Sequence, residues 1–169
     1  MPRIDPAEAG GSNVCAFLDM LAWSEGTTRI KGSDDGYNVI VGGALFDDKG
    51  TPCDLMDDYN DHPRKLVHIP QWKVKSTAAG RYQLLARYYD AYRRLLKLSD
   101  FSPLSQDLIA IQQIREQRAL PALAAGDFDT AVRRCANIWA SLPGAGYGQY
   151  EHTIDRVRLE FIKAGGVTA

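Results

Sequence analysis

The chain has 169 residues, enough for one domain with a sizeable core, and 45% apolar and 24% charged residues are ordinary for a globular protein. With a formal net charge of -1 there is no basic excess to point to nucleic acid or an anionic membrane as partner. No apolar run approaches membrane-spanning length, so stable membrane insertion is not expected.

Residues 1 to 12 read as a loose lead-in carrying proline and glycine, and 13 to 169 as one catalytic domain. Ser12 or Asn13 can cap a first helix, whose apolar stripe is Val14, Phe17, Leu18 and Leu21. Residues 26 to 80 are rich in Gly, Asp, Asn and Pro, broken by Tyr37-Asn-Val-Ile-Val41 and Leu66-Val-His-Ile69, which read as short strands. Asp47 to Asp61 reads as a long polar loop. From Gly80 the pattern is helical, with Leu84, Leu85, Tyr88, Tyr92, Leu95 and Leu96 as one stripe. Ser102-Pro103 predicts the cap and first position of the next helix, continued by Leu108, Ile111 and Ile114. Val132, Cys135, Ala136 and Trp139 mark another helix, and Ile154, Val157 and Phe161 mark the last, closed by Gly165-Gly166. The sum is an α+β domain with its antiparallel strands gathered in one lobe, and a cleft between a sheet lobe and a helical lobe is a natural substrate site. Charge is uneven, acidic over Asp34 to Asp61 and basic over Arg81 to Lys97.

Of three cysteines, Cys15 and Cys135 fall on apolar helix faces and Cys53 in a polar loop. None is close to another in sequence and no His pair has ligand spacing, so no metal site is expected.

Glu25 carries the sharpest chemical signal. It falls four residues after Leu21 on the buried stripe, and Gly26 stands where helices commonly end in a left-handed residue. A carboxyl facing an apolar layer near the negative end of a helix is held protonated, as a general acid requires. The alternative is a Glu that turns to solvent or pairs with an Arg. Two further segments have reason to line the same cleft. Gly80-Arg81-Tyr82-Gln83 stands at the passage into a helix, and Gly144-Ala-Gly-Tyr-Gly-Gln149 brings three glycines, Tyr147 and Gln149 together. Flat aromatic rings and amide or backbone hydrogen bonds suit sugars. Taken singly, Tyr82 is also readable as core, Gln83 as a helix cap, and the glycine loop as a tight corner.

Longer strings carry a resemblance. Ala16-Phe-Leu-Asp-Met-Leu-Ala-Trp-Ser-Glu-Gly-Thr27, Gly36-Tyr-Asn-Val-Ile-Val-Gly-Gly43, Asp61-His-Pro-Arg-Lys-Leu-Val67 and Lys75-Ser-Thr-Ala-Ala-Gly-Arg-Tyr-Gln-Leu-Leu85 belong to it. So do Asp100-Phe-Ser-Pro103 and Asn137-Ile-Trp-Ala-Ser-Leu-Pro-Gly-Ala-Gly-Tyr-Gly-Gln149. With these the chain closely resembles the bacteriophage lambda lysozyme (endolysin) family, whose members are lytic transglycosylases. The likeness runs from about Ala16 to Gly166, with the Asp47 to Asp58 region longer than the family's by about ten residues. The resemblance implies a lysozyme-like, two-lobed, mostly helical fold with a glycan cleft, and Glu25 as the single catalytic acid. Gly80 to Gln83 and Ala145 to Gly148 fit the Gly-x-x-Gln turn and Ala-Gly-x-Gly loop of lytic transglycosylases. Gln83, Tyr82, Tyr147, Gln149 and Gly146 are then expected to contact the glycan.

The resemblance further implies cleavage of the MurNAc-GlcNAc bond of peptidoglycan with 1,6-anhydromuramic ends and without metal or cofactor, so that the host cell lyses. A competing reading is a hydrolytic muramidase of the T4 type, pairing Glu25 with Asp34 or Asp35. Asp34 lies nine residues on, but Ile40 stands where that family has Thr, and the aspartates sit in a Gly-Ser-Asp-Asp-Gly turn. A third reading is a peptidoglycan-binding module without catalysis. The N-terminus lacks the apolar stretch of a signal peptide, so synthesis in a host cytosol is expected. Holin-dependent release to the periplasm then follows from the resemblance, and the enzyme is expected to be a monomer with no nucleic-acid partner.

Overall fold

Asp5 accepts a hydrogen bond from the Ala7 N–H at 2.8 Å, Pro6 takes the first helical position, and Gly10 turns left-handed. These three residues make a helix, α1 (Pro6–Ala9), inside the stretch expected to be loose. The computed structural model describes residues 1–40, 54–69 and 74–169. They divide into two compact units, Met1–Ser24 with Asp107–Ala169, and Glu25–Gln106.

In the first unit α2 (Ser12–Ser24) is the central element, with Val14, Phe17, Leu18, Met20 and Leu21 all buried. Such side chains contribute about 1.5–3 kcal/mol each on burial. Phe17 meets Phe128 edge-on at 6.1 Å, and Phe128 leans on Phe161 at 4.7 Å. These rings join α2 to α6 (Phe128–Cys135) and α7 (Ile154–Lys163). Asp127 caps α6 by accepting the Thr130 N–H at 3.1 Å, and Thr153 caps α7. Helix α4 (Pro103–Glu116) begins in the other unit and buries Ile109, Ile111 and Ile114 here, while Leu108 is only half-buried. A short helix that the sequence pattern had not marked, α5 (Leu120–Ala124), starts at Leu120-Pro121.

Both chain ends are tied down within this unit. The buried Asp107 carboxylate accepts the N–H groups of Arg3 and Ile4 at 2.7 and 3.0 Å, and Ile4 is buried. These partners are about a hundred residues away, so local sequence could not reveal them. Asn13 does not use its side chain as a helix cap. It donates to the carbonyls of Leu123 and Val167 and accepts the Val167 N–H at 2.9 Å. Cys15 and Cys135 are both free thiols, and burial pushes Cys135 up to about 12.

In the second unit β1 (Val67–Ile69) pairs antiparallel with β2 (Val74–Ser76), and β3 (Ala78–Ala79) with β4 (Leu84–Leu85). Val39 and Ile40, expected in a strand, form isolated bridges to Leu55 and Ala79. Leu55, inside the stretch from Asp47 to Asp61 expected to be a polar loop, thus pairs with Val39. Residues 47–53 of that stretch, Cys53 among them, lie outside the described residues, as does Val41 of the expected strand. Leu84 and Leu85 belong to β4 rather than to a helix, because Gln83 before them is left-handed at φ 52°. The helix therefore starts later, as α3 (Ala86–Leu96), and its phase changes. Tyr89 becomes the buried residue, whereas Tyr88 and Leu95 of the expected stripe are exposed. Tyr89, Phe101 and the buried His62 pack ring on ring, with Phe101 4.9 Å from His62 and 5.1 Å from Tyr89.

Candidate functional site

Helix α2 stops at Ser24, whose hydroxyl folds back to the Leu21 carbonyl at 2.8 Å. Glu25 is thus the first residue past the helix and is half-buried rather than sealed in an apolar layer. Gly26 follows at φ 77°, the left-handed conformation expected of it, and opens a 3-10 turn over Thr27–Arg29. Thr27 is fully buried. The Ser24 carbonyl lies 3.2 Å from Nε2 of His152, whose ring sits 4.5 Å from that of Trp23.

The Gly80–Gln83 turn shares its unit with Glu25. Gly80 is left-handed, and a Cβ there would lie 2.3 Å from Oε1 of Gln106, so only glycine fits. Arg81 is the largest fully buried side chain among the described residues. Its N–H donates to Gln106 Oε1 at 2.9 Å, and its guanidinium pairs with the Asp35 carboxylate at 2.7 Å and donates to the Asp35 carbonyl. Tyr37 and Tyr82 flank that guanidinium at 5.1 and 5.9 Å. Tyr82 is buried and meets Tyr37 edge-on at 6.4 Å, which places it in the core. Gln83 is half-buried and its amide N–H donates to the Gly80 carbonyl at 2.9 Å, holding the turn closed.

Neither aspartate of the Gly32 to Gly36 turn stands idle. Asp34 accepts the Tyr59 hydroxyl at 2.9 Å, and its N–H donates to the Asn38 side chain. Burial pushes the Asp35 carboxyl upward, but its hydrogen bonds and the charge of Arg81 outweigh burial and hold it below the usual carboxylate value. Asp35 is itself left-handed at φ 49°, a conformation that aspartate tolerates in turns.

The glycine-rich loop belongs to the first unit. Gly144, Gly146 and Gly148 all have φ between 70° and 80°, yet nothing lies within 4 Å of where their Cβ atoms would be. The loop therefore needs glycine for its backbone, not for clearance. Glu151, which carries no distinguishing signal in the sequence, accepts the N–H groups of Gly144 and Gly146 at 2.9 and 2.7 Å. Tyr147 presents an exposed ring and its hydroxyl donates to the Asn137 carbonyl at 2.8 Å. Gly146 and Gln149 are exposed beside it. The loop thus offers an aromatic face, an amide and backbone groups on a carboxylate-pinned frame. Among the described residues no group of three His, Cys, Asp or Glu is placed to hold a metal ion, and no helix is long and apolar enough to cross a membrane.

Solved structures with this architecture identify its class. A lysozyme from bacteriophage lambda matches with a TM-score of 0.81 at 52% identity, covering 100% of both chains. A bacteriophage lambda lysozyme complexed with a chitohexasaccharide matches with a TM-score of 0.83 at 53% identity, again over 100% of both chains. The fold is an α+β lysozyme fold. The family model named Endolysin matches residues 15–168, and the chain belongs to that family. It is 59% identical over 153 residues to the endolysin of Escherichia phage lambda, covering 89% of this chain and 90% of the relative. It is 50% identical over 164 residues to that of Escherichia phage P2, covering 93% and 95%. The chain is accordingly a peptidoglycan-cleaving enzyme of the phage endolysin type, whose role is host lysis.

Proposed function

We propose that the chain is a lytic transglycosylase with Glu25 as its single catalytic carboxylate. The protonated Glu25 donates to the glycosidic oxygen between N-acetylmuramic acid and N-acetylglucosamine, and the bond from that oxygen to C1 of the muramic ring breaks. The C6 hydroxyl of the same ring attacks C1, its proton passes to the Glu25 carboxylate, and a 1,6-anhydro ring closes while the acid is regenerated. Intramolecular attack gains effective concentration that water lacks.

The observation that supports this most is the commitment of Asp34 and Asp35. Hydrolytic glycosidases generally need a second carboxylate as base or nucleophile. Asp34, at the expected spacing, instead holds Tyr59, and its neighbour Asp35 holds Arg81. Gln83, Tyr147, Gln149 and Gly146 are assigned to the glycan, Tyr147 through its exposed ring. Tyr82 is assigned to the supporting core. Mass spectrometry of muropeptides released from purified sacculi tests the reading. Anhydro ends are expected; reducing ends would make the enzyme a hydrolase.

We also propose that the monomeric enzyme accumulates in the host cytosol and reaches the periplasm through a holin. Expression alone should leave cells intact, and permeabilising the inner membrane should trigger lysis. Lysis on expression alone would overturn holin dependence.

A further inference from the structure

The Arg81 network is built far more heavily than a surface turn requires. The residue is held at both its backbone N–H and its guanidinium. The Arg81 N–H is bound to Gln106 Oε1 at 2.9 Å, while Gln106 Nε2 donates to the carbonyls of Tyr37 and Phe101 at 3.0 and 2.9 Å. The guanidinium is held by Asp35 at 2.7 Å. Into this frame the side chain of Thr27 is plugged: its hydroxyl donates to the Arg81 carbonyl at 2.8 Å. Thr27 is fully buried, and the backbone at Gly36 packs so closely that a Cβ there would lie 2.8 Å from Thr27 Oγ1. Glu25 is two residues upstream, joined to Thr27 through the left-handed Gly26.

We infer that Thr27 is a positioning residue for the catalytic acid, its hydroxyl anchoring the Glu25-Gly26-Thr27 segment to the buried Arg81 turn. The inference rests on Glu25 being that acid. Helix α2 fixes the chain as far as Ser24, and what holds the residues after Glu25 contributes to its direction. A buried threonine hydroxyl on the carbonyl of a residue bound at its N–H and guanidinium supplies that hold. Small displacements of an acid from its proton acceptor cost rate far more than they cost ground-state binding.

The test compares Thr27→Val, which removes the hydroxyl at nearly constant volume, with Thr27→Ser, which keeps it. Turnover is measured on soluble glycan strands prepared from sacculi, with folding checked by circular dichroism. Thr27→Val is expected to lose at least about tenfold in kcat with KM within about twofold, and Thr27→Ser to stay within about threefold of the parent. If Thr27→Val misfolds, Thr27→Ala, which leaves room for a water on the Arg81 carbonyl, takes its place under the same criteria. A folded Thr27→Val or Thr27→Ala protein with parental kcat, a loss confined to KM, or failure of Thr27→Ser to restore turnover would overturn the role. Glu25→Gln in the same assay separates this from the reading beneath it. An active Glu25→Gln protein overturns both, whereas an inactive one beside a fully active Thr27→Val protein overturns the positioning role alone.

Discussion

Asp35→Asn separates a structural carboxylate from a catalytic one. Arg81 is 1% exposed and the Asp35 side chain 34% exposed, so the pair is buried on one side and reachable by water on the other. Breaking a fully buried pair costs about 3–5 kcal/mol because a charge is left without compensation. Partial exposure of Asp35 and the remaining Arg81 bond to its backbone carbonyl reduce this to about 2 kcal/mol, a melting temperature lower by about 4–8 °C for a chain of this size. The sign with pH follows from the direction of the shift. The folded Asp35 carboxyl lies below its unfolded value of 3.8, so its contribution is complete above that value and lost as pH falls through the folded one. The gap between parent and variant should therefore be full at neutral pH and close in acid. Turnover at about 25 °C, well below either melting temperature, should stay within about threefold, because asparagine still offers an acceptor to Arg81. Differential scanning calorimetry against pH and muropeptide release measure the two parts. An unchanged melting temperature would refute the account of Arg81, and a folded but inactive variant would make Asp35 a second catalytic carboxylate.

Glu25→Gln should abolish muropeptide release while its circular dichroism spectrum stays that of the parent, since an amide cannot donate the required proton; retained release would remove Glu25 from the mechanism. Tyr147→Phe keeps the ring and loses one hydrogen bond to a neutral carbonyl, so kcat/KM should fall only about two- to tenfold, and Tyr147→Ala should fall further, as read by initial rates on glycan strands. Glu151→Ala frees two loop N–H groups and should raise KM about tenfold with a smaller change in kcat; an unchanged KM would show that the loop orders itself without the carboxylate. His62 accepts the Arg64 N–H through Nδ1 at 3.0 Å and faces the Leu84 carbonyl through Nε2 at 2.9 Å, so the ring is neutral in the fold, and burial holds it below its ordinary 6.5. Its contribution is complete above that value and lost as pH falls, so the parent's melting temperature should drop more than that of His62→Gln between about pH 7 and about pH 5.

The helical unit was legible because its stripes obey a local period. Phe17, Leu18 and Leu21 on α2, Val132 and Cys135 on α6, and Val157 and Phe161 on α7 are all buried as the 3.6-residue spacing predicts. Where a tertiary partner sets the local conformation, the pattern misled. Leu84 and Leu85 look like the start of the α3 stripe, yet the left-handed Gln83 and the pairing of β3 with β4 take them into a strand. The lead-in looked loose because its acceptor, Asp107, is about a hundred residues away.

The candidate site divides along the same line. Glu25 with Gly26, the Gly80 turn and the glycine-rich loop are short segments whose residue types announce their backbone: left-handed glycine at each, and a side chain with chemistry beside it. What holds those segments is not local. Arg81 reads in the sequence as one more base in a basic stretch, and Asp35 as one more turn aspartate. Only the fold puts the first in the core and the second against it. Glu151 likewise gains meaning only from the two N–H groups the loop turns toward it. Groups that touch the glycan must carry distinctive chemistry and so leave a trace in sequence. Groups that hold them need only be the right length in the right place, and many residue types could serve. A threonine such as Thr27, ordinary by type and buried by position, is where that second kind of residue is to be found.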